Sequence, residues 1–155
     1  MSGARPGIAI AVETPDTVEA RALLQASEDA MNALYPAEAN HMLDVAGLMA
    51  PEITFLVARL DGEAVGCGAL ARRDGWAEIK RLFVAPQARG RGLSRRLMEM
   101  LEAAALADGI AVVRLETGDR QPEALGLYRS MGYLERGAFA DYPEGPPSLF
   151  FEKRL

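Results

Sequence analysis

The chain has 155 residues, half of them apolar and a quarter charged, a balance that excludes a disordered, collagenous or membrane-embedded polypeptide and suits one globular domain. Its net charge of −5, from 17 basic and 22 acidic residues, argues against nucleic acid as the main partner, because polyanion binding draws its affinity from many Lys and Arg contacts. No apolar run approaches the roughly 20 residues needed to span a bilayer, and Ile8–Val12 is too short for a signal peptide core. With Cys67 as the only cysteine, no internal disulfide can form. A buried structural thiol and a reducing, cytoplasmic setting are therefore expected.

In chain order, Gly7–Glu13 reads as a first strand. Thr14-Pro15-Asp16 starts a helix, with Asp16 and Glu19 spaced as a capping box, and Leu23, Ala26, Ala30, Met31 and Leu34 supply its apolar face. Ala37–Pro51 is ambiguous, with short helical pieces expected around His41–Ala46. Ile53–Leu60 and Glu63–Ala71 flank Asp61-Gly62, the dipeptide that most favours a two-residue hairpin turn. A second Asp-Gly leads into the strand Trp76–Val84. Gly90–Ala107 is the strongest helix, with the stripe Leu93, Leu97, Met100, Leu101 and Ala104. A strand over Ile110–Glu116, a helix over Pro122–Met131, and strands Tyr133–Arg136 and Leu149–Arg154 complete an α+β layout around one sheet. A single domain over residues 1–155 is expected.

The informative stretch is Val84-Ala85-Pro86-Gln87-Ala88-Arg89-Gly90-Arg91-Gly92-Leu93-Ser94, where a strand ends, two glycines follow and a helix begins. Glycines let several N–H groups converge, and a helix start adds unpaired donors and the positive end of its dipole. On these grounds the turn is an anion site or an ordinary left-handed turn with solvated arginines. A nucleotide-hydrolase phosphate loop (Gly-x-x-x-x-Gly-Lys-Ser/Thr) and a dinucleotide fingerprint (Gly-x-Gly-x-x-Gly) are both missing. No Cys/His/Asp cluster has zinc-ligand spacing, so no metal is implied, and His41, the single histidine, cannot build such a site alone.

Gln87–Gly92 resembles the coenzyme A pyrophosphate loop of the GNAT N-acetyltransferases, Gln/Arg-x-x-Gly-x-Gly/Ala. The resemblance continues in register. Ala77–Val84 is similar to that family's central strand, and Gln121-Pro122-Glu123-Ala124-Leu125-Gly126-Leu127-Tyr128 with Met131-Gly132-Tyr133 is similar to its Asn-x-x-Ala-x-x-x-Tyr and Gly-Phe/Tyr segment. It covers Ile53 to Glu135 well and the two ends only by element order.

The resemblance implies a mixed, mostly antiparallel sheet flanked by helices and splayed between its fourth and fifth strands. It implies acetyl-CoA as cosubstrate and an amine, of a small molecule, as acceptor, attacked directly without an acyl-enzyme. Backbone groups of Leu82, Phe83 and Val84 would line the acetyl and pantetheine arm. Gln87, Ala88, Arg89, Gly90, Arg91 and Gly92, with Leu93 and Ser94, would hold the pyrophosphate. Gln121 stands where the family commonly has Asn, which keeps an amide toward the cofactor arm with one more methylene. Tyr128 would protonate the leaving thiolate, and Glu78 would be the base, with Glu116 as a second candidate.

Strand alternation places Glu78, Lys80, Leu82 and Val84 on one face, and an ion pair with Lys80 or a neighbouring-strand cation is the structural alternative for Glu78. The acceptor is expected between residues 35–41 and residues 139–144. A noncatalytic acyl-CoA-binding module and a protein or peptide acetyltransferase are the alternative functions. Homodimerisation through the C-terminal strands is a family expectation.

Overall fold

The computed structural model describes residues 7–39 and 42–155, so His41 lies outside the described residues. Its seven strands are β1 (Ile8–Val12), β2 (Ile53–Leu60), β3 (Glu63–Arg72), β4 (Ala77–Val84), β5 (Val112–Gly118), β6 (Leu134–Arg136) and β7 (Ser148–Arg154). The helices are α1 (Val18–Leu34), α2 (Val45–Leu48), α3 (Leu93–Ala107) and α4 (Pro122–Ser130). The strands form one sheet in the order β1-β2-β3-β4-β5-β7-β6, antiparallel throughout except for the parallel pair β4–β5.

Asp61 and Gly62 both have positive φ, at 50° and 87°, as the tight turn between β2 and β3 requires. One apolar layer lies between the sheet and α3–α4 and includes Leu56, Leu70, Ile79, Val84, Leu97, Leu101 and Phe151. A second layer, under α1 and α2, includes Leu23, Leu24, Leu48, Phe55, Val57, Cys67 and Phe83.

Several expectations change: Met98 rather than Met100 is buried on α3, and Ala26 and Leu34, expected on the apolar face of α1, are exposed. α1 is capped by Thr17, whose side chain accepts from Ala20 N–H at 3.0 Å, whereas Asp16 pairs with Arg21. The helix before β2 is the single turn Val45–Leu48, capped by Asp44.

The strand alternation also breaks, because β4 carries a bulge. Cys67 pairs with Phe83 while Ala69 pairs with Lys80, so two β4 residues oppose Gly68. Arg81 absorbs the extra length at φ 57°, in the left-handed region that non-glycine residues resist. Leu82 and Val84 consequently face α3, while Phe83 packs in the α1 layer.

Candidate active site

The parallel ladder between β4 and β5 lasts only three pairs, Ala77–Val113, Glu78–Arg114 and Ile79–Leu115. Beyond Ile79 the strands separate, as expected. A cavity of about 580 Å³ opens in the gap, within the range usual for small-molecule sites. It runs from Arg89, Gly90, Gly92, Leu93 and Ser94, past Leu82–Val84 and Tyr128, to Glu78, Lys80, Glu116 and Tyr142.

At the first end, Gly90 and Gly92 have φ of 81° and 74°, and Gly92 caps α3 without any side-chain bond to the helix. The first N–H groups of α3 are thus left without a side-chain acceptor, beside the positive end of the helix dipole. Arg89 Nε donates to the Val84 carbonyl at 3.2 Å, tying the turn to the end of β4. The structure gathers Ala88, Arg89, Gly90, Gly92, Leu93, Ser94 and Gln121 around the cavity, but neither Gln87 nor Arg91 lines it, and both are exposed. Gln121 Nε2 donates to Thr117 Oγ1 at 3.4 Å.

Tyr128 is buried in the middle of the cavity wall, its ring edge-on to Tyr133 and tilted against Phe151. Among the described residues its hydroxyl has no hydrogen-bond partner. Burial, reinforced by the charge of Glu116, pushes its pKa up to about 12, which keeps the phenol protonated at neutral pH.

The residue-20 to residue-133 region matches the model of the Acetyltransferase (GNAT) family. The chain is a GNAT acetyltransferase. A relative from Azospirillum brasilense, named IAA acetyltransferase, is 45% identical over 152 residues, covering 97% of this chain and 99% of the relative. An N-acetyltransferase from Bacillus subtilis, YsnE, is 34% identical over 128 residues, covering 81% of this chain and 85% of its own. Among solved structures, one from Klebsiella pneumoniae named as an acyl-CoA N-acyltransferase has a TM-score of 0.81 and 36% identity, with 96% and 97% of the two chains covered. The Thermoplasma acidophilum PaiA N-acetyltransferase, solved with coenzyme A, shares the fold at a TM-score of 0.73 and 16% identity, covering 96% of this chain and 99% of its own.

In this GNAT chain the far end of the cavity is a polar cluster. Glu78 is 2% exposed. It accepts from Arg73 at 3.2 Å, Lys80 at 3.3 Å and the Tyr142 hydroxyl at 2.5 Å. Lys80 Nζ also donates to Tyr142 Oη at 2.5 Å. Burial, then the charge of Glu78, raises the Tyr142 pKa far above the ordinary phenol range. Glu116 accepts from Ser148 Oγ at 2.8 Å on the neighbouring strand. Glu78 therefore has both the cavity position expected of it and the ion pairs of the structural alternative.

Arg81 had no expected role, and Tyr35, in the segment expected at the acceptor, had no expected partner. Arg81, buried beneath α1, donates to the carbonyls of Leu43 at 2.7 Å and Leu24 at 3.0 Å and lies 3.4 Å from Glu28. Its Nε has no partner among the described residues. Tyr35 lines the cavity and accepts the Arg120 N–H at 2.8 Å. Neither contact has a local sequence signal, since the partners lie 38 to 85 residues apart. Cys67 is fully buried, donates weakly to the Arg81 carbonyl, and has its pKa pushed up to about 12 by burial, which removes it as a nucleophile. No group of three or more metal-ligating side chains occurs among the described residues.

Proposed function

We propose that residues 1–155 act as a single catalytic domain transferring the acetyl group of acetyl-CoA to the amine of a small molecule, by direct attack within a ternary complex. The observation that carries this reading is the continuity of one cavity from the uncapped start of α3, through the β4–β5 gap, to the Glu78–Tyr142 cluster. A pyrophosphate suits the first end, where glycine backbone and helix donors converge. The ladder that would consume backbone groups of Leu82–Val84 on the β5 side has already ended, which leaves fixed dipoles to orient the pantetheine arm and polarise the thioester carbonyl.

Tyr128 is the proposed acid. Its elevated pKa keeps the proton in place until sulfur leaves, and a thiolate forming in the same apolar wall gains basicity from the same desolvation. Glu78 is the proposed acceptor of the amine proton, with Glu116 the second carboxylate on that side of the gap. The name of the Azospirillum relative supports a small-molecule acceptor. A single buried cysteine fits a reducing cytoplasm.

The test combines binding with turnover. Acetyl-CoA at about 100 times its dissociation constant should add roughly 2.7 kcal/mol of stability, seen as a rise in melting temperature. Thiol release should then depend on an added amine. No melting shift with any acyl-CoA would sink the reading.

A further inference from the structure

We infer that Tyr35 is a specificity-determining residue that closes one side of the acceptor space, restricting the acceptor to a small free amine and excluding lysine within a polypeptide. The inference rests on the proposed acetyl transfer and narrows its acceptor.

α1 packs over the β3–β4 half of the sheet, whereas Gly118 ends β5 and residues 119–120 follow it on the other side of the gap. Tyr35 joins these halves. Its hydroxyl accepts the backbone N–H of Arg120 at 2.8 Å, and Arg120 Nη1 returns a bond to the Leu34 carbonyl at 2.9 Å. The ring seats only because residue 118 is glycine: a Cβ there would lie 2.1 Å from the Tyr35 hydroxyl oxygen. The bridge thus crosses the opening that the end of the β4–β5 ladder creates.

The Glu78 side of the acceptor space is also bridged. Tyr142, from the connection between β6 and β7, hydrogen-bonds Glu78 and Lys80, and its ring packs on Phe139 and Phe150 at centroid distances of 5.4 and 5.7 Å. An extended peptide advances about 3.3 Å per residue, so a lysine with two neighbours on each side needs an open-ended groove of roughly 13–17 Å. Here hydrogen-bonded bridges stand on both sides of the acceptor space. The whole 580 Å³ cavity must also accommodate the acyl arm.

The experiment compares acetyl-CoA-dependent thiol release with a panel of small primary amines and with a lysine-bearing decapeptide, for the native protein, Tyr35→Ala, Tyr35→Phe and Gly118→Ala. For the native protein, peptide kcat/KM should be at least about 100-fold below that of the best small amine. Tyr35→Ala and Gly118→Ala should raise the small-amine KM about tenfold and narrow the gap to the peptide, and Tyr35→Phe should do so by a smaller factor. Acetyl-CoA affinity of the Tyr35 variants should stay within about twofold of native, a result that mere misfolding would not give. Peptide turnover within tenfold of the best amine, or an unchanged acceptor KM in the folded variants, overturns the inference while leaving acetyl transfer intact. Thiol release with no amine at all overturns acetyl transfer, and this inference with it.

Discussion

Arg81 Nη2 donates to the Leu24 carbonyl at 3.0 Å, so a side chain on the bulge of β4 reaches into the body of α1. The same guanidinium holds the Leu43 carbonyl, and its backbone sits at φ 57°. In Arg81→Met, Leu24 keeps its helical donor and the partly exposed Glu28 turns to water, so the loss falls mainly on Leu43. A cost of about 1–3 kcal/mol is expected for that buried acceptor. At this chain length it lowers the melting temperature by roughly 2–12 °C. A thermal melt unchanged within a degree would show that the clamp is ornamental.

Tyr128→Phe keeps the ring and its packing against Tyr133 and Phe151 but removes the proton. Turnover should fall about 10²–10⁴-fold with acetyl-CoA affinity retained. Because burial raises this phenol to about 12, the native pH–rate profile should show no alkaline loss from Tyr128 below about pH 10. Steady-state kinetics against pH on both proteins checks the two statements together.

Gly92→Ala and Gly126→Ala should have opposite effects. Gly92 has φ 74° at the start of α3, where a side chain costs about 1–2 kcal/mol and the turn is expected to shift to relieve it. Acetyl-CoA should then bind roughly tenfold more weakly by calorimetry. Gly126 is an exposed position inside α4 with open space for a Cβ, so alanine there should stabilise the fold by about 0.5–1 kcal/mol. Equal effects from the two substitutions would contradict the assignment of the first to the ligand turn.

Arg59 on β2 forks to Glu13 after β1 and Glu19 in α1, with contacts of 2.9 to 3.0 Å. Its hydrogen bonds hold both carboxyls below their ordinary value of 4.5. The unfolded chain therefore takes up protons first as the solution is acidified. This stabilisation is complete above about pH 4.5 and fades as pH falls through the lower folded values. Melting temperature measured from pH 7 to pH 3 should drop less steeply in Arg59→Met than in the native protein. Parallel curves would show that the fork does not contribute to acid stability.

The elements written in local signals were legible. Asp61-Gly62 marked its hairpin, and the two glycines of the ligand turn have the positive φ that such a turn demands. Tyr128 and Glu78 were singled out, and both line the cavity. Strand parity failed at Arg81, because a bulge at a non-glycine residue leaves no compositional trace and one extra residue reverses every side chain beyond it. Thr17 replaced Asp16 as cap because adjacent residues compete for one N-terminus and the Arg21 partner occupied Asp16. The segments holding Tyr35 and Tyr142 were expected at the acceptor, but their hydrogen-bond partners lie 62 to 85 residues away and leave no local signal.

The strand order has one more consequence. β7 is the last strand along the chain yet sits between β5 and β6, and β6 has no other neighbour in the sheet. A nascent chain that has made everything up to residue 147 holds β5 with a bare edge and β6 with nowhere to dock. The cleft wall at β5 is therefore secured by a seven-residue strand that the chain supplies only after α4 and β6, so this keystone of the active site arrives late.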